Sequence, residues 1–317
     1  MNTDIIVGYF RIIRPHNLFL ITLLTVALQY LTISSLCADF GLSNPMSPIR
    51  FLLIMLVILP IATAGYVIND YFDLKIDRIN KPSQLVVTKL LSKNQTMILF
   101  YINASIGILA TLMLAFLEKD ITLTIIPLSV TGLLWFYSAT YKRQFLIGNF
   151  IPPLLIATLP VFLALANASR LANLYPEWIS YLPLSHDMFI RMLILSSLIF
   201  TLALVCELVK DLISINGDRE MECHTLPVVL GEKTTKWIVI TLLLALIGLY
   251  IGIFLYMTSD TNVLYKVFGI LAGVVLWGIA SGLMTKAILV SDYKQILYLL
   301  YGTAILTIIA LTLLPSL

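Results

Sequence analysis

Nine stretches of about 20 apolar residues, each bounded by charged or turn-forming positions, divide the chain at approximately 17–37, 50–68, 97–117, 121–140, 145–168, 188–206, 237–257, 264–286 and 295–315. A helix rises about 1.5 Å per residue and the hydrocarbon layer is about 30 Å thick, so each stretch predicts one membrane crossing. The first follows Arg11 and Arg14 but has no small-residue cleavage site before the next apolar run. It therefore reads as a retained span rather than a removed signal segment. The pattern predicts an all-α, polytopic membrane protein with nine transmembrane helices, residues 1–317 forming a single membrane domain. Two polar segments, 69–96 and 207–236, are long, whereas most other connections are short. They follow the second and sixth stretches, with four spans between them. That spacing fits two pseudo-repeated four-helix halves around a central cavity, and it fits two unrelated loops equally.

Composition agrees with the pattern. The chain is 60% apolar and 12% charged, with a mean hydropathy of +0.98. A soluble domain carries about 25% charged residues, so this chain lacks the charge to cover a water-facing surface. With 20 Lys and Arg against 17 Asp and Glu, the net charge of +3 offers no basic field, and nucleic acid is excluded as a partner. Cys37, Cys206 and Cys223 share no short spacing with one another or with His16, His186 and His224, so neither a zinc site nor a disulfide framework is indicated.

Short cytoplasmic loops carry an excess of Lys and Arg, and this orients the chain. With the N-terminus inside, the cytoplasmic segments hold Arg11, Arg14, Lys75, Arg78, Lys81, Lys89, Lys93, Lys142, Arg143, Lys210, Arg219, Lys233, Lys236, Lys286 and Lys294. The outer segments hold only Arg50, Lys119, Arg170, Arg191 and Lys266. The expectation is a multi-pass protein of the cell membrane with its C-terminus outside.

The second span runs straight into Asn69-Asp70-Tyr71-Phe72-Asp73-Leu74-Lys75-Ile76-Asp77-Arg78. On a continuous helix Asp70, Asp73 and Asp77 fall within roughly 60° of one another, with Asn69 at the edge of that sector. After the sixth span comes Glu207-Leu208-Val209-Lys210-Asp211, then Gly217-Asp218-Arg219. Glu207, Asp211 and Asp218 cluster within about 40° if the helix continues through Gly217. Like charges this close repel and raise each other's pKa unless a cation sits between them. Solvated helix ends with ion pairs such as Glu207 with Lys210 are the bland explanation, but two such motifs at matching depth point to a shared purpose. Carboxylates suit Mg²⁺, which completes its shell with water and phosphate oxygens. Two facing acidic clusters with basic side chains between them form a site for a diphosphate carried on Mg²⁺, its lipid tail lying among the spans.

At these two motifs, and over nearly the whole chain, the sequence resembles the UbiA superfamily of intramembrane prenyltransferases. The stretch Glu207-x-x-Lys210-Asp211, Gly217-Asp218-Arg219 and Thr225-Leu226-Pro227 is most similar to the branch that makes digeranylgeranylglyceryl phosphate. Cys206 stands where that branch has an arginine, and the acidic residue common between Asp211 and Gly217 is missing. Tyr137-Ser138-x-x-Tyr141-Lys142-Arg143 resembles the family's segment after the fourth span, whose basic pair is associated with the diphosphate. Arg14-Pro15-His16-Asn17 resembles its entry to the first span, with Asn17 facing the cavity. Lys142 and Arg143 also read as positive-inside anchors, and Asn17 as a helix cap.

The resemblance implies transfer of a polyprenyl group, geranylgeranyl by the branch, from its diphosphate to a lipid-soluble acceptor, with the hydroxyl of a prenylglyceryl phosphate as the expected acceptor and an aromatic quinone precursor as the alternative. It assigns Asn69, Asp70, Asp73 and Asp77 to one Mg²⁺, and Glu207, Asp211 and Asp218 to a second, the five aspartates being the catalytic set. Lys75, Lys142, Arg143 and Lys210 would meet the diphosphate, with Tyr137, Tyr141, Asn17 and Asn69 also binding substrate. Oligomeric state is not legible. A secondary transporter is the competing reading from another class, although these acids sit at the ends of spans rather than at the midplane. Cyclisation of one prenyl substrate would use the same metal site without an acceptor.

Other features read as structural. Gly248-x-x-x-Gly252, Gly269-x-x-x-Gly273 and Gly278-x-x-x-Gly282 predict close helix contact. Asn94-Gln95-Thr96, Asn103-Ala104-Ser105 and Asn167-Ala168-Ser169 match the glycosylation sequon, the first in a cytoplasmic loop and the second within a span. Tyr66, Tyr71, Phe72, Trp135 and Tyr137 read mostly as interfacial anchors, with lining of a prenyl channel as the alternative. His224 reads as a satisfied polar residue.

Overall fold

A computed structural model describes residues 3–80, 82–176, 182–257 and 263–312. Its elements in chain order are α1 (Thr3–Ile12), α2 (Pro15–Ala27), α3 (Ser34–Asp39), α4 (Pro48–Phe72), α5 (Leu74–Asn80), α6 (Lys93–Leu117), α7 (Ile125–Ala139), α8 (Ile147–Leu174), α9 (Leu182–Glu220), α10 (Leu226–Leu230), α11 (Glu232–Met257), α12 (Val263–Lys286) and α13 (Val290–Thr312). The described residues contain no strand. A π-helical turn, Leu28–Ile33, joins α2 to α3, so the first apolar window is helical but interrupted.

Helices occupy the described part of all nine windows, yet among the described residues seven stretches are long and apolar enough to cross a membrane by length and composition. These are Pro15–Asp39, Pro48–Phe72, Lys93–Leu117, Ile121–Ala139, Ile147–Leu174, Pro183–Glu220 and Glu232–Ile253. The expected count of nine spans is therefore seven by this measure, with α12 and α13 outside the set. Phe19, Ile49, Leu109, Phe116 and Ile121 are exposed on the outer surface of the bundle. Exposure of large apolar side chains on this scale suits contact with lipid rather than water.

The helix ends differ from the sequence expectation at both acidic motifs. Helix α4 runs through Asn69 and Asp70 to Phe72 and breaks at Asp73, its C-cap, before α5 resumes at Leu74. Helix α9 does not end at Cys206: its 39 residues continue unbroken past Gly217 to Glu220. That is about 58 Å of helix, nearly twice the hydrocarbon thickness, so its acidic segment extends beyond an ordinary span. Gly217 is tolerated because the cost of one interior glycine, about 1 kcal/mol, is offset by burial of Leu212 and by the Ser214–Asp218 hydrogen bond on the same turns. Helix α9 touches α5, α8, α10, α11 and α13. Its contact with α5 brings the two acidic segments together.

Polar clasps tie the bundle at other levels. In the first span Gln29 exchanges two hydrogen bonds with Asn167 of α8, at 2.9 and 2.8 Å. Both side chains are fully buried, which removes Asn167 as a glycosylation acceptor. At the end of the bundle opposite the acidic motifs, buried Glu118 accepts from Arg50 Nε at 2.6 Å and lies 3.8 Å from Arg170. Two of the five arginines and lysines expected on the outer side thus share one buried carboxylate.

The close helix contacts come from glycines other than most of those expected. A Cβ on Gly107 would stand 2.5 Å from Ile61 Cγ1, and one on Gly65 would stand 2.7 Å from Leu134 Cδ2. Gly248, Gly252, Gly278 and Gly282 have nothing within 4 Å of such a Cβ. Gly273 does meet Tyr250 at 2.7 Å, and the side-chain surroundings of Gly269 lie outside the described set. Overpacking a tight core costs about 1–3 kcal/mol. Gly107→Val is therefore expected to lower the melting temperature of the detergent-solubilised protein by several degrees, whereas Gly278→Val should leave it unchanged. Equal effects of the two would refute this packing assignment.

Candidate active site

The first motif is built on the α4–α5 break. The Asp73 amide donates to the Asn69 carbonyl at 2.9 Å and the Asp77 amide to the Asp73 carbonyl at 2.8 Å, so the hydrogen-bond ladder survives the kink. Asp70, Asp73 and Asp77 thus straddle a one-residue interruption at Asp73, where the spacing suggested one continuous helix. Asp73 is only 5% exposed, and its Oδ2 accepts from Asn69 Nδ2 at 2.7 Å and from Lys142 Nζ. Asp70 accepts from Arg14 Nη2 at 2.5 Å, and the same guanidinium lies over the Tyr66 ring at 5.3 Å. Arg14 adopts a left-handed conformation at the α1–α2 junction, which swings it toward α4. The Asn17 side chain meets the Tyr66 hydroxyl.

The second motif lies along α9. Glu207 accepts from Lys210 at 2.9 Å, Asp211 from Asn149 Nδ2, and Asp218 from Ser214 at 2.8 Å and Thr225 at 3.4 Å. Tyr301 of α13 hydrogen-bonds to Lys210. The loop after α9 folds back, its His224 amide donating to the Arg143 carbonyl at 3.0 Å.

Lys142 joins the two motifs. It sits on a 3-10 turn, Tyr141–Arg143, between α7 and α8, and its charge interacts with Asp73, Glu207 and Asp77 as well as with Asp211 and Asp218. Burial opposes its charge, but Asp73, Glu207 and Asp77 together outweigh that and hold the ammonium above its ordinary value. A raised lysine pKa contributes stability that is complete below the ordinary value and lost only as pH climbs through the raised one. The pair is therefore intact throughout the neutral range. The buried Tyr137 hydroxyl interacts with Glu207, Asp73, Asp211 and Asp218. Lys142→Met is accordingly expected to raise KM for a prenyl diphosphate about tenfold or more, since one charge-assisted contact is worth about 1.5–3 kcal/mol. Unchanged KM in a steady-state titration would exclude Lys142 from the substrate site.

Not every expected residue joins this group. Lys75 and Arg143 are exposed, and among the described residues Lys75 makes no side-chain hydrogen bond or ion pair. Tyr141 stacks near Phe136, ring centroids 6.3 Å apart. Phe72 and Trp135 pack on each other and Trp135 on Phe100, at 5.8 and 5.2 Å, so they buttress the site instead of lining it. Asn149, Ser214 and Tyr301 carry no sequence signal that marks them as site residues, whereas Arg14 and Thr225 lie in the family-like segments and Tyr66 among the aromatic candidates. For Asn149 the sequence offers only a lone amide near the start of an apolar stretch.

The donor set is all oxygen, as Mg²⁺ requires. Among the described residues no three His, Cys, Asp or Glu side chains stand close enough to hold one ion between them. The acids reach instead for Arg14, Lys142, Lys210 and the neutral donors named above. The hydrogen bonds to the side chains of Asp73, Asp211 and Asp218 all fall on Oδ2. One further oxygen, Asn149 Oδ1, is buried without a hydrogen-bond partner. Six carboxylates converging on few cations, with an orphaned buried acceptor among them, fit divalent metal.

Fold and site together define a helical membrane protein with an acidic, lysine-bridged site at one end of its bundle. A model of the UbiA prenyltransferase family matches residues 30–300, and the chain belongs to that family. It is an integral membrane prenyltransferase, which sets aside the transporter reading. The chain is 30% identical over 197 residues to the digeranylgeranylglyceryl phosphate synthase of Sulfolobus acidocaldarius, a match covering 62% of this chain and 63% of the relative. A solved structure described as giving insight into digeranylgeranylglyceryl phosphate synthase in membranes superposes with a TM-score of 0.68 at 21% identity, covering 98% of this chain and 99% of the other. A UbiA homolog from Archaeoglobus fulgidus bound to DMAPP and Mg²⁺ gives a TM-score of 0.58 at 15% identity, covering 95% and 99%.

Proposed function

We propose that this prenyltransferase moves a geranylgeranyl group from its diphosphate to the hydroxyl of a prenylglyceryl phosphate, using Mg²⁺ held by the two acidic motifs at the cytoplasmic rim. The observation that carries the reading is the packing of α5 against α9, which brings the two acidic motifs to one end of the bundle, where Lys142 pairs with Asp73 and Asn149 with Asp211. The name of the Sulfolobus relative supports the acceptor, and the Archaeoglobus homolog's bound DMAPP and Mg²⁺ support the donor and the metal.

Asn69, Asp70, Asp73 and Asp77 are the residues for one ion, and Glu207, Asp211 and Asp218 for a second. Bound there, Mg²⁺ supplies Lewis-acid neutralisation of the charge on a departing diphosphate. Lys142, with Lys210 and Arg14, holds the diphosphate oxygens as charge partners. The bond from the allylic carbon to the diphosphate oxygen breaks, and its electron pair leaves with the diphosphate. The acceptor oxygen bonds to that carbon and its proton passes to a carboxylate of the second motif. Leu24, Leu28, Leu195, Leu198, Ile199 and Leu202 line a small apolar pocket, about 8–18 Å along α9 from Glu207, which would have to widen to admit a geranylgeranyl tail. The test is purified protein with geranylgeranyl diphosphate, Mg²⁺ and a panel of glycerophosphate-ether and aromatic acceptors, products being read by mass. The ether product is expected, and exclusive prenylation of an aromatic ring would overturn the acceptor assignment.

A further inference from the structure

The turn after α7 and the first turn of α8 each carry a polar side chain into the site, and the two go to different motifs. Lys142 reaches Asp73 on the α4–α5 side, while Asn149 reaches Asp211 on α9. Their separation is fixed by a tight reversal: Leu146 takes a positive φ of 63°, and a Cβ on Gly148 would lie 2.6 Å from the Lys142 carbonyl oxygen. Only a glycine lets the first turn of α8 press onto the turn that bears Lys142. Asn149 itself is 2% exposed. Its Nδ2 donates to Asp211 Oδ2, and its Oδ1 is the buried acceptor without a partner. A buried amide that satisfies one end and strands the other costs roughly 1–3 kcal/mol. A purely structural strut would not need that arrangement, because an apolar side chain of similar volume would fill the space without the penalty.

Resting on the metal-diphosphate reading above, we infer that Asn149 is a positioning residue of the second cation site: its Nδ2 fixes Asp211 by one oxygen, and its Oδ1 serves as a neutral oxygen acceptor for the hydrated cation. The 141–149 segment is then a two-armed bracket that sets the spacing of the two acidic motifs. Removal of a group that orients a metal-binding carboxylate typically weakens metal binding tenfold to a hundredfold. Asn149→Asp has the opposite character, since it keeps the oxygen but sets a second carboxylate against Asp211, a repulsion that a divalent cation relieves.

The test follows melting temperature in detergent across a Mg²⁺ titration with inorganic diphosphate as the probe, alongside steady-state kinetics, for wild type, Asn149→Ala and Asn149→Asp. Wild type should be stabilised by Mg²⁺ with diphosphate. Asn149→Ala should need at least about tenfold more Mg²⁺ for half its thermal shift and half its rate, with KM for the prenyl diphosphate little changed at saturating Mg²⁺. Asn149→Asp should melt lower than wild type without Mg²⁺ and regain the deficit when it is added. A wild-type Mg²⁺ requirement in Asn149→Ala, or an equal deficit with and without Mg²⁺ in Asn149→Asp, would overturn the inference and leave Asn149 a strut. If Asn149→Ala does not fold, the Asn149→Asp comparison decides alone. Absence of any Mg²⁺ response in wild type would instead bring down the metal reading itself.

Discussion

Asp73→Asn should leave prenyl transfer at least about a hundredfold below wild type, the scale of losing one preorganised electrostatic contact to a developing charge. The substitution keeps the shape of the side chain and its capacity to accept from Asn69 and Lys142, so it separates charge from packing. Lys142 would lose its contact ion partner, but its charge still faces Glu207 and Asp77, so it is not left buried without a counter-charge. A folded, membrane-inserted and inactive protein is the expected result, read by product mass alongside melting temperature. Asp211→Asn should behave alike, and the double substitution should be little worse than either single one, because both carboxylates act on one diphosphate. A rate within tenfold of wild type in Asp73→Asn would remove that carboxylate from the chemistry.

Chelation has the other large effect. With EDTA in excess, release of inorganic diphosphate from an allylic diphosphate should fall to background, and added Mg²⁺ should restore it. The physical reason is the anionic excess of the site. Asp73, Asp77, Glu207, Asp211 and Asp218 interact with Lys142, and Arg14 pairs with Asp70. Bringing a further trianionic diphosphate to this place without a divalent cation would set like charges together in a partly buried setting. Full diphosphate release in EDTA would contradict the metal assignment while leaving the family membership untouched.

The chemistry was legible from residue type and order. Asn69, Asp70 and Asp73 beside Asp77 after one apolar stretch, and Glu207, Lys210 and Asp211 after another, are oxygen donors and cations in a chain with little charge to spare, and no packing argument accounts for them. The helix windows followed from hydropathy for the same reason: in lipid every backbone polar group must be bonded within the segment, so a sufficiently long apolar run is helical. Where the helices end was less legible, because local pattern does not report tertiary support. Helix α9 runs on to Glu220 since Leu212 is buried and Asp218 is held by Ser214 and Thr225. Helix α4 breaks at Asp73 although the periodicity there is regular.

The order of residues thus determined that the apolar stretches are helical, which ends carry the acids, and that those acids want a cation. Only the tertiary structure decided which residues meet. The contact of α5 with α9, the reversal at Gly148 that sends Lys142 to Asp73 and Asn149 to Asp211, and the swing of Arg14 onto Asp70 all join positions at least 56 residues apart in the chain, and the Gln29–Asn167 bonds join positions 138 apart. A periodic pattern fixes the face a side chain occupies on its own helix. It carries no information about the neighbour across the gap, because that neighbour is selected by how whole helices pack.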